Sequence, residues 1–227
     1  MTNKNFATAL ILGASRGLGL ELVRQLLAAG TRVIATARTP QDLAQLQALG
    51  AQVLSIDVAS PASVSGLAWQ LDGEKLDLAF YVAGVMRRPD ATTPPTQQDF
   101  DAVMHANVLG AMQAIPQVAP LVEAAGGVFA FMSSSMSQIA NVPASNAWLY
   151  RTSKAALNMA MAAAQHDYPA ATLVAMDPGW VQTDMGGHAA PLTADASVRG
   201  MLATLADLQP SDKGQLLHYD GRRASHW

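Results

Sequence analysis

The sequence has no cysteine and few charged residues. Without cysteine, the chain cannot form disulfides, thiolate–zinc sites or a cysteine nucleophile. Charged types make up 14% of the residues and hydrophobic types 50%, so the chain has the apolar side chains that disordered chains lack. The net charge of −3 gives no positive field, and we therefore expect neither nucleic acid nor membrane as a partner.

Long hydrophobic runs are also missing. The first apolar run, 7–12, stops at a glycine and is too short for a signal-peptide core or a membrane-spanning helix. We therefore expect a soluble cytoplasmic protein. The histidines show no metal-ligand spacing, and the adjacent pairs Arg87-Arg88 and Arg222-Arg223 are interpreted as solvated surface.

Short apolar runs alternate with helical stretches along the whole chain. The runs predict strands at 7–12, 32–36, 52–56, 76–82, 127–132, 172–176 and 215–219. Most are apolar over about five consecutive residues and end at Gly, Asp or Pro, as strands buried on both faces do. The alternation predicts an α/β fold, with one doubly wound Rossmann domain over 1–227 and helices on both faces of a parallel sheet. Ligands of such sheets bind at the carboxyl ends of the strands.

Three helical stretches stand out between these strands. Leu18, Leu22 and Leu26 recur every four residues and predict an amphipathic helix. The stretches 99–123 and 149–167 are longer and rich in alanine, methionine and leucine. Two prolines in the first of them, at 116 and 120, predict that this helix kinks or ends early.

Three glycines, Gly13, Gly17 and Gly19, follow the first strand and open the first helix. A tight turn needs backbone freedom at Gly13, and a pyrophosphate needs close approach to the backbone near Gly17. Close packing of helix on strand favours the absence of a side chain at Gly19. The spacing differs from the common Gly-x-Gly-x-x-Gly fingerprint, but its place between strand and helix indicates a dinucleotide-binding loop.

The residues after the second strand favour NADP(H) over NAD(H). Sites selective for NAD place an acidic residue about twenty positions after the glycine loop. No Asp or Glu lies between Glu21 and Asp42. Arg16 and Arg38 are available for a 2′-phosphate instead, which a guanidinium binds through two parallel hydrogen bonds.

Tyr150 and Lys154 lie four positions apart and therefore on one face of a predicted helix. A free phenol, with a pKa of about 10, is a poor acid–base catalyst at neutral pH. A lysine ammonium and a nicotinium ring nearby would lower that pKa, and a shift of about 3 units needs roughly 4 kcal/mol. The pair suits a tyrosine that gives and takes a proton. Tyrosine and lysine also occur at this spacing by chance, so the pair gains its weight from the other motifs.

Together with Asn107 in a middle helix and serines that close the fifth strand, these motifs resemble the short-chain dehydrogenase/reductase family in type and order. The resemblance covers the chain from residue 7 to its end. It implies the sheet order 3-2-1-4-5-6-7. It also implies that Ser134 polarises a substrate carbonyl, Tyr150 protonates it, Lys154 binds the nicotinamide ribose and Asn107 holds a proton-relay water.

The same resemblance implies a larger cofactor-binding set. Asp57 would contact adenine, and Pro178-Gly179 with Thr183 would line the nicotinamide pocket. The whole set is Gly13, Ser15, Arg16, Gly17, Leu18, Gly19, Arg38, Asp57, Val58, Ala83, Gly84, Asn107, Tyr150, Lys154, Pro178, Gly179, Val181 and Thr183.

Residues 150–158 and the ending 219–227 resemble the branch of the family that contains C-factor and the carbonyl reductase sniffer. Leu12 stands where the family usually has threonine, and Val82 where it has an asparagine that helps to tie strands together. The usual thirteen-residue spacing to the tyrosine selects Ser137 as the catalytic serine. Direct succession to the strand end selects Ser134, which we prefer.

The sequence thus predicts an NADPH-dependent enzyme that reduces an aldehyde or ketone. Met136, Trp148 and Trp180 are interpreted as an apolar substrate wall, with core packing as the alternative, and residues near 184–195 as a short lid. Two other functions remain open: a non-enzymatic NADP(H) sensor on the same fold, and NAD-linked alcohol oxidation. The two long helical stretches suit packing across a two-fold axis, so we expect a homodimer or homotetramer.

Overall fold

Seven parallel strands make up the sheet. The computed structural model describes residues 6–227, so the first five residues of the predicted domain lie outside the described part. The strands are β1 (Thr8–Leu12), β2 (Arg32–Ala37), β3 (Gln52–Ser55), β4 (Leu78–Tyr81), β5 (Val128–Met132), β6 (Thr172–Asp177) and β7 (Leu216–His218). Their order is β3-β2-β1-β4-β5-β6-β7, all pairs parallel. The predicted strands and the predicted order are confirmed.

Both faces of the sheet are buried, which explains why its strands read as continuous apolar runs. Along β1, Leu10 and Leu12 enter one hydrophobic core, whereas Ala9 and Ile11 enter the other. Successive side chains of a strand point to opposite faces, so a strand between two cores needs apolar residues at every position. Every residue of β4 and β5 is accordingly buried.

Helices cover both faces. They are α1 (Gly17–Ala28), α2 (Pro40–Ala48), α3 (Pro61–Val64), α4 (Leu67–Gln70), α5 (Gln97–Met104), α6 (Gly110–Glu123), α7 (Trp148–Ala164) and α8 (Ala194–Ala206). Helices α1, α2 and α8 pack into one core, and α3, α4, α6 and α7 into the other. The arrangement is the predicted doubly wound α/β fold. Within residues 6–227, no helix is long and apolar enough to cross a membrane.

The predicted helix 99–123 differs from the structure in two ways. It begins earlier, at Gln97, where the Thr96 hydroxyl accepts a hydrogen bond from the Asp99 N–H and caps α5. It also contains Pro116 and Pro120 without ending at either, so the expectation of an early end is wrong. Both prolines are exposed, as is Met112, whose carbonyl loses its helical partner. Water can therefore satisfy the freed carbonyls on this face.

A π-helical turn, His105–Leu109, separates α5 from α6 and carries the buried Asn107. Such turns are rare and often lie at functional sites. Gly110 follows it, where a Cβ atom would lie 2.3 Å from the Val58 carbonyl oxygen and 2.5 Å from the Tyr81 hydroxyl. The absence of a side chain at Gly110 therefore lets the start of α6 pack directly on the sheet.

Replacing Gly110 by alanine should destabilise the fold. Alanine favours helices, but its methyl group would collide with the backbone of Val58, so we expect the free energy of unfolding to fall by about 2 kcal/mol or more. Gly66→Ala is the control, because a Cβ there meets nothing closer than 3.8 Å. Urea unfolding of both variants measures the difference, and equal stability of the two would contradict this packing.

Candidate active site

The glycine loop after β1 is built on two close approaches. Gly13 has a φ of 93°, and a Cβ atom there would lie 2.7 Å from the Ala83 nitrogen. At Gly19, a Cβ atom would lie 2.1 Å from the Gly13 carbonyl oxygen, so α1 can leave the turn only without a side chain at this point. The sequence predicts backbone freedom in a tight turn as the reason for Gly13 and close packing of helix on strand as the reason for Gly19, and these close approaches have the same causes.

The chain ties β1 to β4 without the two side chains that the family usually has there. The Val82 and Ala83 N–H groups both donate to the Leu12 carbonyl, at 2.9 and 3.0 Å. The Thr36 hydroxyl at the end of β2 accepts from the Gly13 N–H at 3.0 Å. Backbone groups and a threonine from the neighbouring strand therefore replace the missing contacts.

A groove runs along the carboxyl ends of the strands and brings most of the predicted cofactor residues together. Those that line it are Gly13, Ser15, Arg16, Gly17, Leu18, Gly19, Arg38, Asp57, Val58, Ala83, Gly84, Tyr150, Pro178 and Thr183. Asn107, Lys154, Gly179 and Val181 do not form its surface but lie behind it or beside it. Several lining residues were not predicted from the sequence, among them Thr36, Ile56, Val85, Ala106 and Met185. The predicted strands 32–36 and 52–56 end at Thr36 and Ile56, so their position at this edge could have been inferred.

The adenosine end of the groove holds two arginines. Arg38 is exposed and forms no hydrogen bond or ion pair with any residue that the structure describes. Arg16 pairs with Asp184 at 3.3 Å, although both side chains are mostly exposed. The Asp57 carboxylate accepts from the Ala59 N–H at 3.0 Å, and this bond shapes the turn after β3.

Helix α7 presents a row of buried polar side chains to the sheet. Lys154 donates to the Met132 carbonyl at 2.6 Å. The Asn107 amide donates to the Ser153 hydroxyl at 2.9 Å and to the Val85 carbonyl at 2.9 Å, and its oxygen accepts from the Val85 N–H at 2.8 Å. Asn107 therefore joins α7 to the loop after β4 through its side chain.

The serines after β5 have different surroundings. Ser137 is buried, donates to the Ser134 carbonyl at 2.6 Å and accepts from the Asn158 amide at 2.8 Å. Ser133 donates to the Asn158 amide oxygen at 2.6 Å. Ser134 accepts from the Met136 N–H at 3.1 Å. Its hydroxyl is close enough to the Tyr150 phenol to lower the pKa of that phenol by hydrogen bonding. Of the two serines left open by the sequence, Ser134 is therefore the one beside the tyrosine.

Burial shifts the proton affinities of Tyr150 and Lys154 in opposite directions. It raises the pKa of Tyr150 to about 12, with the Ser134 hydroxyl opposing the rise and the Asp177 charge adding to it. It lowers the pKa of Lys154 to about 7. The lysine nitrogen lies 5.6 Å from the centre of the Tyr150 ring. Burial in the protein alone thus keeps the phenol protonated. The lowering expected from the sequence depends on a nicotinium ring as well as on the lysine, so it stays a prediction.

Ala147, the residue before α7, has left-handed backbone angles, with φ 53° and ψ 39°. This conformation is unfavourable for a residue with a side chain and often occurs beside functional sites. The Ala147 N–H donates to the Arg88 carbonyl at 3.1 Å, and its own carbonyl accepts from the Arg151 N–H. These bonds start the helix three residues before Tyr150.

The loop between β6 and α8 is closed by its own hydrogen bonds. Gln182 and Leu192 pair through their backbones, and the Trp180 indole donates to the Gly186 carbonyl at 2.8 Å. Two arginines from other segments bind this loop. Arg16 pairs with Asp184, and Arg88 donates to the Met185 carbonyl at 2.6 Å. The end of the predicted lid, 184–195, belongs to helix α8 and its cap.

The predicted substrate wall is not brought together at the groove. Met136 and Trp148 line a separate apolar cavity on the outer side of α7, with Ile139 and Val142. Trp180 is 57% exposed and lines neither cavity. Helix periodicity explains the position of Trp148, since residues two apart on a helix point in nearly opposite directions.

One buried pair at this edge was not expected from the sequence. The carboxylate of Asp177, at the end of β6, lies 2.8 Å from Nδ1 of His218 in β7 and accepts from the Gly179 N–H at 3.3 Å. The two residues are 41 positions apart and meet because β6 and β7 pair in register. The pair holds the turn that follows β6. Among the described residues, no cluster of three or more potential metal ligands occurs.

Comparisons with known proteins agree with this arrangement. The family model for short chain dehydrogenases matches residues 7–191. A 1-hydroxy-2-glutathionyl-2-methyl-3-butene dehydrogenase from Rhodococcus is 31% identical over 227 residues, which cover 95% of this chain and 97% of that protein.

Two solved structures are similar over nearly the whole chain. The carbonyl reductase Sniffer of D. melanogaster has a TM-score of 0.90 at 28% identity, with 97% of this chain and 99% of that chain covered. A short-chain dehydrogenase/reductase from Burkholderia multivorans with bound NADP has a TM-score of 0.85 at 32% identity, with 98% and 100% covered. The resemblance predicted from the motifs is confirmed. The chain belongs to the short-chain dehydrogenase/reductase family of oxidoreductases.

Proposed function

We propose that the protein is an NADPH-dependent carbonyl reductase with Tyr150 as its proton donor. The observation that carries the proposal is the set of groups around this phenol. Tyr150 lines the groove, the Ser134 hydroxyl is close enough to lower the pKa of the phenol, and the Lys154 nitrogen lies 5.6 Å from the centre of the ring. A tyrosine between a hydroxyl and a lysine is placed to give a proton to a carbonyl oxygen.

The groove fits a dinucleotide with a 2′-phosphate. The glycine turn at the start of α1 leaves backbone N–H groups free to face a pyrophosphate, in the way that helix N-termini bind anions. The residues at the end of β2 are Ala37 and Arg38, with no acid to bind ribose hydroxyls. Arg38 has no partner among the described residues, so its guanidinium is free for the phosphate. The Burkholderia relative with bound NADP supports the same choice.

Bound NADPH supplies the hydride, and the side chains handle the carbonyl oxygen and the proton. Ser134 orients the carbonyl oxygen through its hydroxyl, and the Tyr150 Oη donates a proton to it. Lys154, held by the Met132 carbonyl, lies next to the ring and would bind the nicotinamide ribose. With a pKa near 7, this lysine can exchange a proton at neutral pH.

We propose a part for Asn107 that differs from the one expected from the sequence. Both of its amide hydrogens are engaged, by Val85 and by Ser153, so its side chain has no donor left for a relay water. We propose that the side chain positions α7 and the loop after β4. A relay water would then be held by a backbone carbonyl of the π turn.

A nucleotide sensor on the same fold is the second candidate. It would need the groove and Arg38 but would gain nothing from a buried lysine next to a buried tyrosine. Keeping a lysine in the interior costs free energy, which the shift of its pKa to about 7 reflects. This cost favours an enzyme.

We also propose assembly into a homodimer or homotetramer through the outer face of the long helices. Met112 of α6 and Met159 of α7 are 53% and 70% exposed. Exposed large apolar side chains on adjoining helices are typical of subunit interfaces.

Tyr150→Phe should lower kcat for carbonyl reduction by about a hundredfold or more, because general acid catalysis contributes roughly 10²–10⁴. The phenyl ring keeps the packing, so the affinity for NADPH should change by no more than about twofold. Turnover is followed by NADPH absorbance and binding by calorimetry. Tyr168→Phe is the control, since this ring lies outside the groove. Turnover retained by Tyr150→Phe would contradict the role of Tyr150 as the proton donor.

Arg38→Ala should weaken NADPH binding by about tenfold or more, the size of a lost charge-assisted hydrogen bond, and leave NADH binding unchanged. Only the 2′-phosphate distinguishes the two nucleotides. Calorimetric titration of wild type and variant with each nucleotide gives the comparison. Arg24→Ala is the control, because Arg24 pairs with Glu21 away from the groove. An equal loss of affinity for NADPH and NADH would show that Arg38 does not bind the 2′-phosphate.

A further inference from the structure

The arginines differ in whether they have a carboxylate partner. Seven of the ten arginines form an ion pair with an aspartate or glutamate: Arg16, Arg24, Arg32, Arg87, Arg199, Arg222 and Arg223. Among the described residues, Arg38, Arg88 and Arg151 have no acidic partner. Arg151 binds the Asn146 side chain and backbone. Arg38 is assigned to the cofactor phosphate, which leaves Arg88.

Arg88 contacts two segments that flank the groove, although it does not line the groove itself. Its carbonyl accepts from the Ala147 N–H, one helical turn before Tyr150. At about 1.5 Å per residue, that turn is roughly 4.5 Å long. Its guanidinium donates to the carbonyl of Met185, a residue that lines the same groove as Tyr150 and Val85. The side chain therefore passes from the start of α7 to the loop after β6.

Arg88 forms no ion pair with any residue that the structure describes. The Met185 carbonyl takes one of the five N–H donors of the guanidinium. The nearest acid along the chain, Asp90, binds Thr92 through its carboxylate, while Asp184 pairs with Arg16 and Asp99 with Arg87. No side chain caps the N-terminus of α7 beside it, so the helix adds positive potential at the same place. The other N–H donors of the guanidinium have no partner among the described residues, so they are available to a carboxylate that extends out of the groove.

We propose that Arg88 is a specificity-determining residue that binds a carboxylate of the substrate. The preferred substrates are then aldehydes or ketones that carry an acid group at the end of the molecule remote from the carbonyl. A benzene ring is one rigid spacer that holds a carbonyl and an acid group at opposite ends of a small molecule. This inference rests on the proposed function, because it names the substrate class of the same site. The proposal differs from the interpretation of Arg88 as solvated surface, although the side chain is exposed as that interpretation expects.

The test compares two aldehydes of equal shape, 4-carboxybenzaldehyde and 4-formylbenzamide, which differ in charge. With NADPH, kcat/KM is measured for both in wild type, Arg88→Met and the control Arg87→Met. We expect the acid-to-amide ratio of kcat/KM to fall about tenfold in Arg88→Met, equal to about 1.4 kcal/mol, mainly through KM. The ratio in Arg87→Met should stay within about twofold of wild type, because Arg87 already pairs with Asp99.

Salt and a conservative variant separate charge recognition from a structural role. Raising the ionic strength from about 0.05 to 0.5 M should lower the wild-type ratio and leave that of Arg88→Met unchanged. Arg88→Lys keeps the charge and should retain most of the preference. If Arg88 only holds the loop at Met185, both kcat/KM values fall together, the ratio is constant and the inference is overturned.

Failure of the proposed function would look different. Wild type would then reduce neither aldehyde while still binding NADPH. In that case, calorimetry with terephthalate decides the inference without turnover. Weaker binding to Arg88→Met than to wild type supports it, and equal binding overturns it.

Discussion

The buried polar face of α7 is the constraint on which the site depends. Ser153, Lys154 and Asn158 all lie in the interior and each has hydrogen-bond partners on a different segment. Ser153 binds Asn107 in the π turn, Lys154 binds the carbonyl at the end of β5, and Asn158 joins Ser133 and Ser137. A buried polar group without its partner costs about 1–3 kcal/mol. A helix with three such groups can therefore dock in only one register, which places Tyr150.

The same burial gives the site its chemistry. Removing water from both groups disfavours their charged forms, which makes the phenol harder to ionise and the ammonium easier to deprotonate. The Asp177 charge strengthens the first effect, and this carboxylate is itself held by His218 and the Gly179 N–H. Packing, hydrogen bonding and proton affinity at Tyr150 are thus not separate properties. All three follow from the depth at which α7 lies against the sheet.

The sequence predicts the fold well because two-sided burial leaves a local signature, the apolar run. It also predicts the glycine turn, where Gly13 and Gly19 have no space for a side chain. It cannot predict contacts between distant segments. Arg88 meets Met185 from 97 positions away, and Asp177 meets His218 across paired strands. The sequence also did not predict the π turn or the uninterrupted helix α6, because both depend on the surroundings of the helix. Gly110 faces a packed sheet, and Pro116 faces water.

The two positions that depart from the family pattern show which features of the site must be kept. Leu12 and Val82 cannot supply the usual side-chain contacts, yet β1 and β4 remain joined through the Leu12 carbonyl. Thr36 completes the turn by accepting from Gly13. Arg38, which follows β2, has no partner among the described residues, and Arg16 is held only by an exposed ion pair with Asp184. The proposed preference for a 2′-phosphate therefore depends on exposed arginines, whereas the position of Tyr150 depends on a buried network. Cofactor choice should change more readily than chemistry in this protein, because an exposed arginine can be replaced without leaving an unsatisfied group in the interior.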